Sequence, residues 1–581
     1  MTTQWRDLTI SANLPLEIDI SEKDARCVQI SSRWDSLPDE APRLTIAWSM
    51  PIVDIQYEWY PTCRFDRSLR VDWSAPVSSK ISSSAPVFCF FNGAGRNRFT
   101  MALSDVFTLV GCALGVREED GTLSCRVEIP LDATGTSHEY AVTLYRDYDD
   151  VSFAEALRRV SGWWESECGL KPMAVPEAAR AAMYSCWYSF HQATIAADIE
   201  AECARAAKLG LKTVIVDDGW QTEDGQRGYA YCGDWRPAPG KIPDMRTHVE
   251  RVHALGMKYM LWYSVPFVGY HSAHWDVFKD KLLCCVERLK TGVLDPRWPE
   301  VRQYLIGTYV EALRQWNLDG FKLDFIDSFS PRNDPLPPVK PGMDYALVED
   351  AVNRLMTDVM AALKAIRPDI LIEFRQSYIG PAMRTFGNMF RVGDCPNDPI
   401  SNRVGTIDLR LLSGGTAVHS DMLMWNSADT PEAAALQLLS VIFAVPQISV
   451  RLDRITDEHK RLLSFWLDFI HSHRDLLLDA PLEVSAPQNL YPAVRAQKDG
   501  RAVVALYDGD HIASLSEDAR EIFLINATPV TRVGLACETP RRFHASIVDC
   551  LGQSAGERNV DVNDLAALTI PASGMAHLTA L

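Results

Sequence analysis

No run of apolar residues in this sequence reaches the ~18 that a membrane-spanning helix needs, which argues against a membrane partner. Positive charge is in deficit: 58 Lys and Arg stand against 76 Asp and Glu, for a net charge of −18. A polyanion is repelled by such a field, so nucleic acid and anionic membrane surfaces are excluded as natural partners. Metal-type spacing is also missing. The 14 cysteines form no paired ligand pattern and no small-scaffold framework, Cys284 and Cys285 being merely adjacent. Among the 13 histidines the close pair is His471-x-His473, in a helix-like stretch. No metal and no cofactor is therefore expected. The first residues, MTTQWRDLTISANLPLEIDI, lack the basic and apolar regions of a secretory signal. The expectation is a cytoplasmic protein with reduced, mostly buried thiols.

What is present is the texture of an ordinary globular chain, 47% apolar and 23% charged, with 581 residues, too many for one core. Residues 1–170 read as β structure. Short runs such as RLTIAWSM, VFCFFNG and SCRVEIPL are punctuated by Pro, Gly, Ser and Asp, as in a β-sandwich. The helical stretch FAEALRRVSGWWE then leads through KPMAVPEA, a proline-marked boundary. Over 176–478 apolar runs alternate with amphipathic segments, the pattern of parallel strands with crossover helices. Eight candidate strands follow: CWYSFH, TVIVDDGW, YMLWYSVPF, GFKLDFID, ILIEFRQS, MFRVGD, TAVHSDMLM and QISVRL. Eight repeats in this length predict an α/β fold with a central (β/α)₈ TIM barrel; an open doubly wound sheet would usually stop at five to seven strands. Residues 485–581 return to strands and predict a small antiparallel C-terminal β domain.

Active sites of such barrels lie at the carboxyl ends of the strands. Reading those ends gives Asp217 and Asp218 on strand two, Lys322 and Asp324 on strand four, and Arg391 with Asp394 on strand six. Strand seven offers His419 and Asp421, and strand one Trp187. One Asp after a strand is ordinarily a helix N-cap or a turn residue. Charges inside apolar runs such as VIVDD and GFKLDF are another matter, because they are costly to bury unless paired or used. Carboxylates beside aromatic platforms are the equipment of glycoside hydrolysis: one attacks or stabilises the anomeric centre, another protonates the leaving oxygen. The residues alone point to a barrel glycosidase or another carboxylate-using enzyme and do not choose the sugar.

At these positions the sequence resembles the melibiase-type α-galactosidases of glycoside hydrolase family 36, which are kin to the lysosomal-type enzymes. VIVDDGWQ, CGDWRPAPGKIPD, GFKLDFID and FRVGDCPND carry the likeness, in order, each at a strand end or its following loop. The resemblance implies that Asp324 is the nucleophile and Asp394 the general acid and base of a retaining reaction on terminal α-galactosides. It implies that Asp217 and Asp218 bind the C4 and C6 hydroxyls, that Lys322 bridges the same region, and that Arg391 holds Asp394. Trp187 and Trp235 resemble positions that wall the sugar. After strand five the family often carries a Cys-Ser-Gly-Gly type turn near the C2 hydroxyl; here Arg375, Gln376 and Ser377 stand instead, which places Arg375 and Gln376 in the C2 pocket. Asp398 is a minor rival to Asp394. The compact length departs from the large tetrameric members, so no oligomeric state carries over. A related α-glycosidase with an altered C2 pocket, a galactosyl transferase and a non-catalytic carbohydrate-binding protein are the alternatives.

Overall fold

The computed structural model describes residues 2–34, 42–131 and 138–581. The N-terminal part is a sandwich of two six-stranded sheets. Alternation builds it: in Arg43–Pro51 the residues Leu44, Ile46 and Trp48 turn inward. Thr122–Pro130 pairs antiparallel with that strand and adds Leu123, Cys125, Val127 and Ile129 to the same core. A period of two on a pleated strand puts every second side chain on the buried face. The helix Phe153–Ser166, capped by Ser152, then packs its apolar stripe on the sandwich.

Eight parallel strands close into a barrel. We number them β1 (Met183–Ser185), β2 (Thr213–Val216), β3 (Lys258–Ser264), β4 (Gly320–Asp324), β5 (Leu371–Arg375), β6 (Met389–Arg391), β7 (Ala417–Leu423) and β8 (Val445–Ile448). β2, β4, β5, β6 and β7 fall within the runs predicted for them, β3 starts one residue before its run, β8 shares only Gln447 and Ile448 with its run, and β1 lies wholly ahead of its own. That strand ends at Ser185, and Trp187–Phe190 forms a single helical turn. Cys186 already has helical dihedrals while its N–H still donates to Ile215, so strand pairing stops there. Helices start where short polar side chains meet orphan N–H groups, as at Asp244, Thr430 and Thr456. The bottom of the barrel is plugged by Met183, Ile215, Met260, Leu371 and Met389. Between β3 and the helix Pro299–Trp316 the chain inserts a three-stranded antiparallel sheet, Phe267–Gly269, Leu282–Val286 and Thr291–Leu294. No helix among the described residues is long and apolar enough to cross a membrane.

The C-terminal part comprises a seven-stranded and a three-stranded sheet. It corrects the antiparallel expectation, because Arg501–Leu506 runs parallel to Glu521–Asn526 and Ile512–Ser514 parallel to Arg532–Ala536. The three parts meet at one buried carboxylate. Asp408, on the helix Pro399–Leu412, accepts hydrogen bonds from Trp59 and Arg67 of the sandwich and from Tyr491 near the C-terminal sheets. Arg67 and Asp408 are both nearly sealed from water. Removing one partner of a buried pair strands the other. Asp408→Ala should therefore cost about 3–5 kcal/mol, read from chemical denaturation; a loss under ~1 kcal/mol would show that Arg67 finds another partner or water.

Candidate active site

Lys322 and Asp324 are two residues apart on β4, so strand periodicity sends both into the barrel. Lys322 places its Nζ 2.5 Å from Asp217 Oδ2, while Asp217 Oδ1 accepts the Asp218 N–H at 2.9 Å. Asp218 is fixed by amide donors, Gln192 Nε2 and Gln221 Nε2, each at 2.7 Å. Burial pushes the Asp218 carboxyl up to about 6, against these hydrogen bonds and helped by the neighbouring charge of Asp217.

Asp324 sits at the end of β4, buried. Its Oδ1 accepts from Arg375 Nε at 2.6 Å, Tyr378 OH at 2.8 Å and the Phe325 N–H at 2.7 Å. Its Oδ2 accepts from Trp262 Nε1 at 3.0 Å. Burial works to raise this carboxyl, but the Arg375 and Lys322 cations and the Trp262 and Tyr378 donors outweigh it, so Asp324 lies well below the usual carboxylate range. Oδ2, with a single hydrogen bond, is the oxygen with lone-pair capacity to spare.

Asp394 presents the opposite environment. Its side chain is 54% exposed, with one oxygen 2.9 Å from Arg391 Nη2. Burial of the remainder raises it, and Arg391, Lys322 and Arg375 draw it below its ordinary value, opposed by the charge of Asp324. Arg391 is itself buried and held from beneath: Nη1 donates to Asp421 at 2.5 Å, and Nε lies 3.7 Å from Glu373 Oε1. Asp421 also accepts from Tyr188 OH at 2.9 Å and the Cys395 N–H at 2.7 Å. Asp421 is therefore a support under Arg391, fully buried inside β7 rather than open at the mouth.

Trp235 is buried against Trp220, Trp262 and Tyr263, and Trp187 is half-buried with its ring edge on His191, 4.8 Å between centroids. Gln376 reaches across to β6, its Oε1 accepting the Gly393 N–H at 3.3 Å. His419 is the correction. It lies in the middle of β7, not at its end, and its Nε2 is 2.8 Å from the Ala179 carbonyl at the base of the barrel. Burial drives its imidazole down to about 4, so it is a neutral core histidine. Asp398 caps the helix Pro399–Leu412 through the N–H groups of Ile400 and Ser401. That leaves Asp394 without its rival.

Sequence reading missed Trp262, Tyr378, Gln192, Tyr188 and Glu373. Trp262 carried a signal, since it pairs in register with Lys322 across β3 and β4. Tyr378 follows β5 in an irregular turn, where no periodicity reaches it. Among the described residues no three His, Cys, Asp or Glu side chains are grouped as a metal site requires.

Comparison with known proteins matches residues 177–374 to the melibiase family model. The protein named probable alpha-galactosidase G of Emericella nidulans is 30% identical over 134 residues, 20% of this chain and 18% of that protein. An α-galactosidase of Lactobacillus acidophilus is 29% identical over 183 residues, 29% of this chain and 23% of that one. The matched stretches thus span about a fifth of the curated relatives' length. In fold, the chain superposes over 99% of its length on 81% of a GH36 α-galactosidase from Geobacillus stearothermophilus in complex with raffinose, with a TM-score of 0.66 at 15% identity. The family match covers β1 to β5, including Asp217, Asp218, Lys322 and Asp324 at the strand ends where the geometry places the site, and over that stretch the chain is similar to the melibiase family.

Proposed function

We propose that the protein is a retaining α-galactosidase that removes terminal α-linked galactose from oligosaccharides or glycoconjugates. The observation that supports this reading most strongly is the contrast between two carboxylates at one barrel mouth. Asp324 is buried and locked in its ionised form, whereas Asp394 is half open to solvent on a single arginine. A nucleophile and a proton donor need such unlike surroundings.

In this mechanism Asp324 Oδ2 attacks the anomeric carbon while Asp394 gives its proton to the departing oxygen. The resulting ester removes the negative charge of Asp324, which lowers the pKa of Asp394 and suits it to take a proton from water in the second step. Asp217 and Asp218, already braced by Lys322, Gln192 and Gln221, accept from the C4 and C6 hydroxyls. Trp235 and Trp187 wall the ring. Arg375 bonds the nucleophile itself, so its remaining donors border the C2 side of the sugar.

Asp324→Ala should lose about 10⁴-fold or more in turnover. Azide should restore part of it and give the β-galactosyl azide; retained turnover in Asp324→Asn would sink the assignment. Asp394→Ala should lose about 10²–10⁴-fold on galactosides with sugar leaving groups and much less on nitrophenyl galactosides. Equal losses on both would argue against an acid role.

The exposed face of Asp394 also sets a pH signature. Bound sugar displaces water from that carboxylate, which disfavours its charge and raises its pKa. The acid must be protonated, so activity falls as pH rises through that pKa. The alkaline limb of kcat, which reports the complex, should therefore lie at higher pH than that of kcat/KM, which reports the free enzyme; coincident limbs would contradict it.

A further inference from the structure

Beneath Arg391 a chain of polar side chains runs from the base of the barrel up to Asp394. It starts at His419, whose Nε2 lies 2.8 Å from the Ala179 carbonyl. In a neutral imidazole that nitrogen carries the proton, which leaves Nδ1 as an acceptor. Nδ1 takes one N–H of the Gln447 amide at 3.2 Å, and the other N–H of that amide goes to Glu373 Oε2. The histidine thus fixes which way the amide faces. Gln447 shows Glu373 a donor, and a donor favours the charged form of a carboxyl.

Glu373 is fully buried on β5, with Lys322 beside it in register on β4. Its Oε1 lies 3.7 Å from Arg391 Nε, and neither atom has a hydrogen-bond partner among the described residues. Arg391 is therefore shared unequally. Asp421 holds Nη1 at 2.5 Å and Asp394 takes Nη2 at 2.9 Å, whereas Glu373 acts on the guanidinium by charge and not by contact. Burial pushes the Glu373 carboxyl up; Lys322, Arg391 and the Gln447 amide draw it back, and the charge of Asp217 opposes them. The groups around Asp394 leave acids in excess. Arg391, Lys322 and Arg375 stand against Asp324, Asp421 and Glu373 besides Asp394 itself, with the neutral Tyr188 hydroxyl on Asp421. Each buried negative charge near Arg391 makes a proton on Asp394 easier to keep.

We infer that Glu373 is a positioning residue for the acid step: its buried charge divides the attraction of Arg391 and so lets Asp394 hold the proton it must give. The inference rests on the reading of Asp394 as the acid. Asp421 fixes where the guanidinium sits, through direct bonds. Glu373 sets how strongly that guanidinium pulls on Asp394, and His419 serves it from the base of the barrel by orienting Gln447.

The test is the alkaline limb of kcat in the full-length protein, measured on raffinose, whose sugar leaving group needs the acid. Glu373→Gln keeps the shape and removes the charge, so Arg391 turns more fully to Asp394 and the proton leaves at lower pH. Activity needs that proton, so the limb should move about one pH unit toward acid. Glu373→Asp keeps the charge and should hold the limb within about 0.3 unit of wild type. Gln447→Met removes the donor that favours the charged form of Glu373. It should move the limb in the same direction as Glu373→Gln, and it decides the matter if that variant does not fold. An unmoved limb in either variant that folds and turns over raffinose would overturn the role of Glu373 and leave the galactosidase reading standing. A wild-type chain that cleaves neither raffinose nor a nitrophenyl galactoside would overturn that reading, and the role of Glu373 with it.

Discussion

A carboxylate inside a protein keeps its charge only beside a cation, and the mouth of this barrel meets that constraint three times. Lys322 faces Asp217, Arg375 faces Asp324, and Arg391 sits among Asp394, Asp421 and Glu373. Apart from Arg391 and Asp394, three residues apart, each pair joins different strands or the loops that follow them, so those charges are satisfied only when the barrel is closed. Register enforces this: Lys322 lies beside Glu373 and Arg375 beside Arg391 on neighbouring strands. The arrangement is expensive, since burying ions costs several kcal/mol each before their attraction offsets it. A barrel filled with Leu and Val would be more stable and have no chemistry.

The pairs are unequal, and the inequality gives the carboxylates different surroundings. Asp324 has a cation, three further donors and little water. Asp394 has one cation and an open face. Glu373, deepest of the three partners of Arg391, is left by burial with a raised pKa and a hydrogen bond from Gln447. One guanidinium thus presents Asp394 upward while two buried acids hold it in place.

The same reasoning ties the N-terminal sandwich to the site. Arg67 is a buried cation, and its counter-ion belongs to the barrel. Neither part can satisfy that charge alone, so their packing is specified rather than left to apolar contact. Tyr491 closes the cluster from the C-terminal side. The hydrophobic core runs on unbroken from Trp59 and Phe153 through the barrel to Tyr491 and Val494.

Much was legible in the sequence because the signals are local. Apolar runs between amphipathic segments mark the strands and helices, and an Asp or Lys inside such a run marks the end of a strand where charge is used. That locates Asp217, Asp218, Lys322, Asp324, Arg391 and Asp394. It also selects His419, wrongly, because a strand's end cannot be fixed to within two residues without its pairing partner; two residues is one step along the barrel wall, from mouth to interior. Only the tertiary structure decided which carboxylates are paired and which are open, since that depends on neighbours far apart in the chain. It placed Tyr378 and Trp262 on Asp324, put Arg375 on the same carboxylate, and brought the loop at Phe65 to the rim beside Asp394. Sequence determined which charges the barrel would carry; closure of the barrel determined what each would face, because electrostatic environment is a property of distance in space and not along the chain.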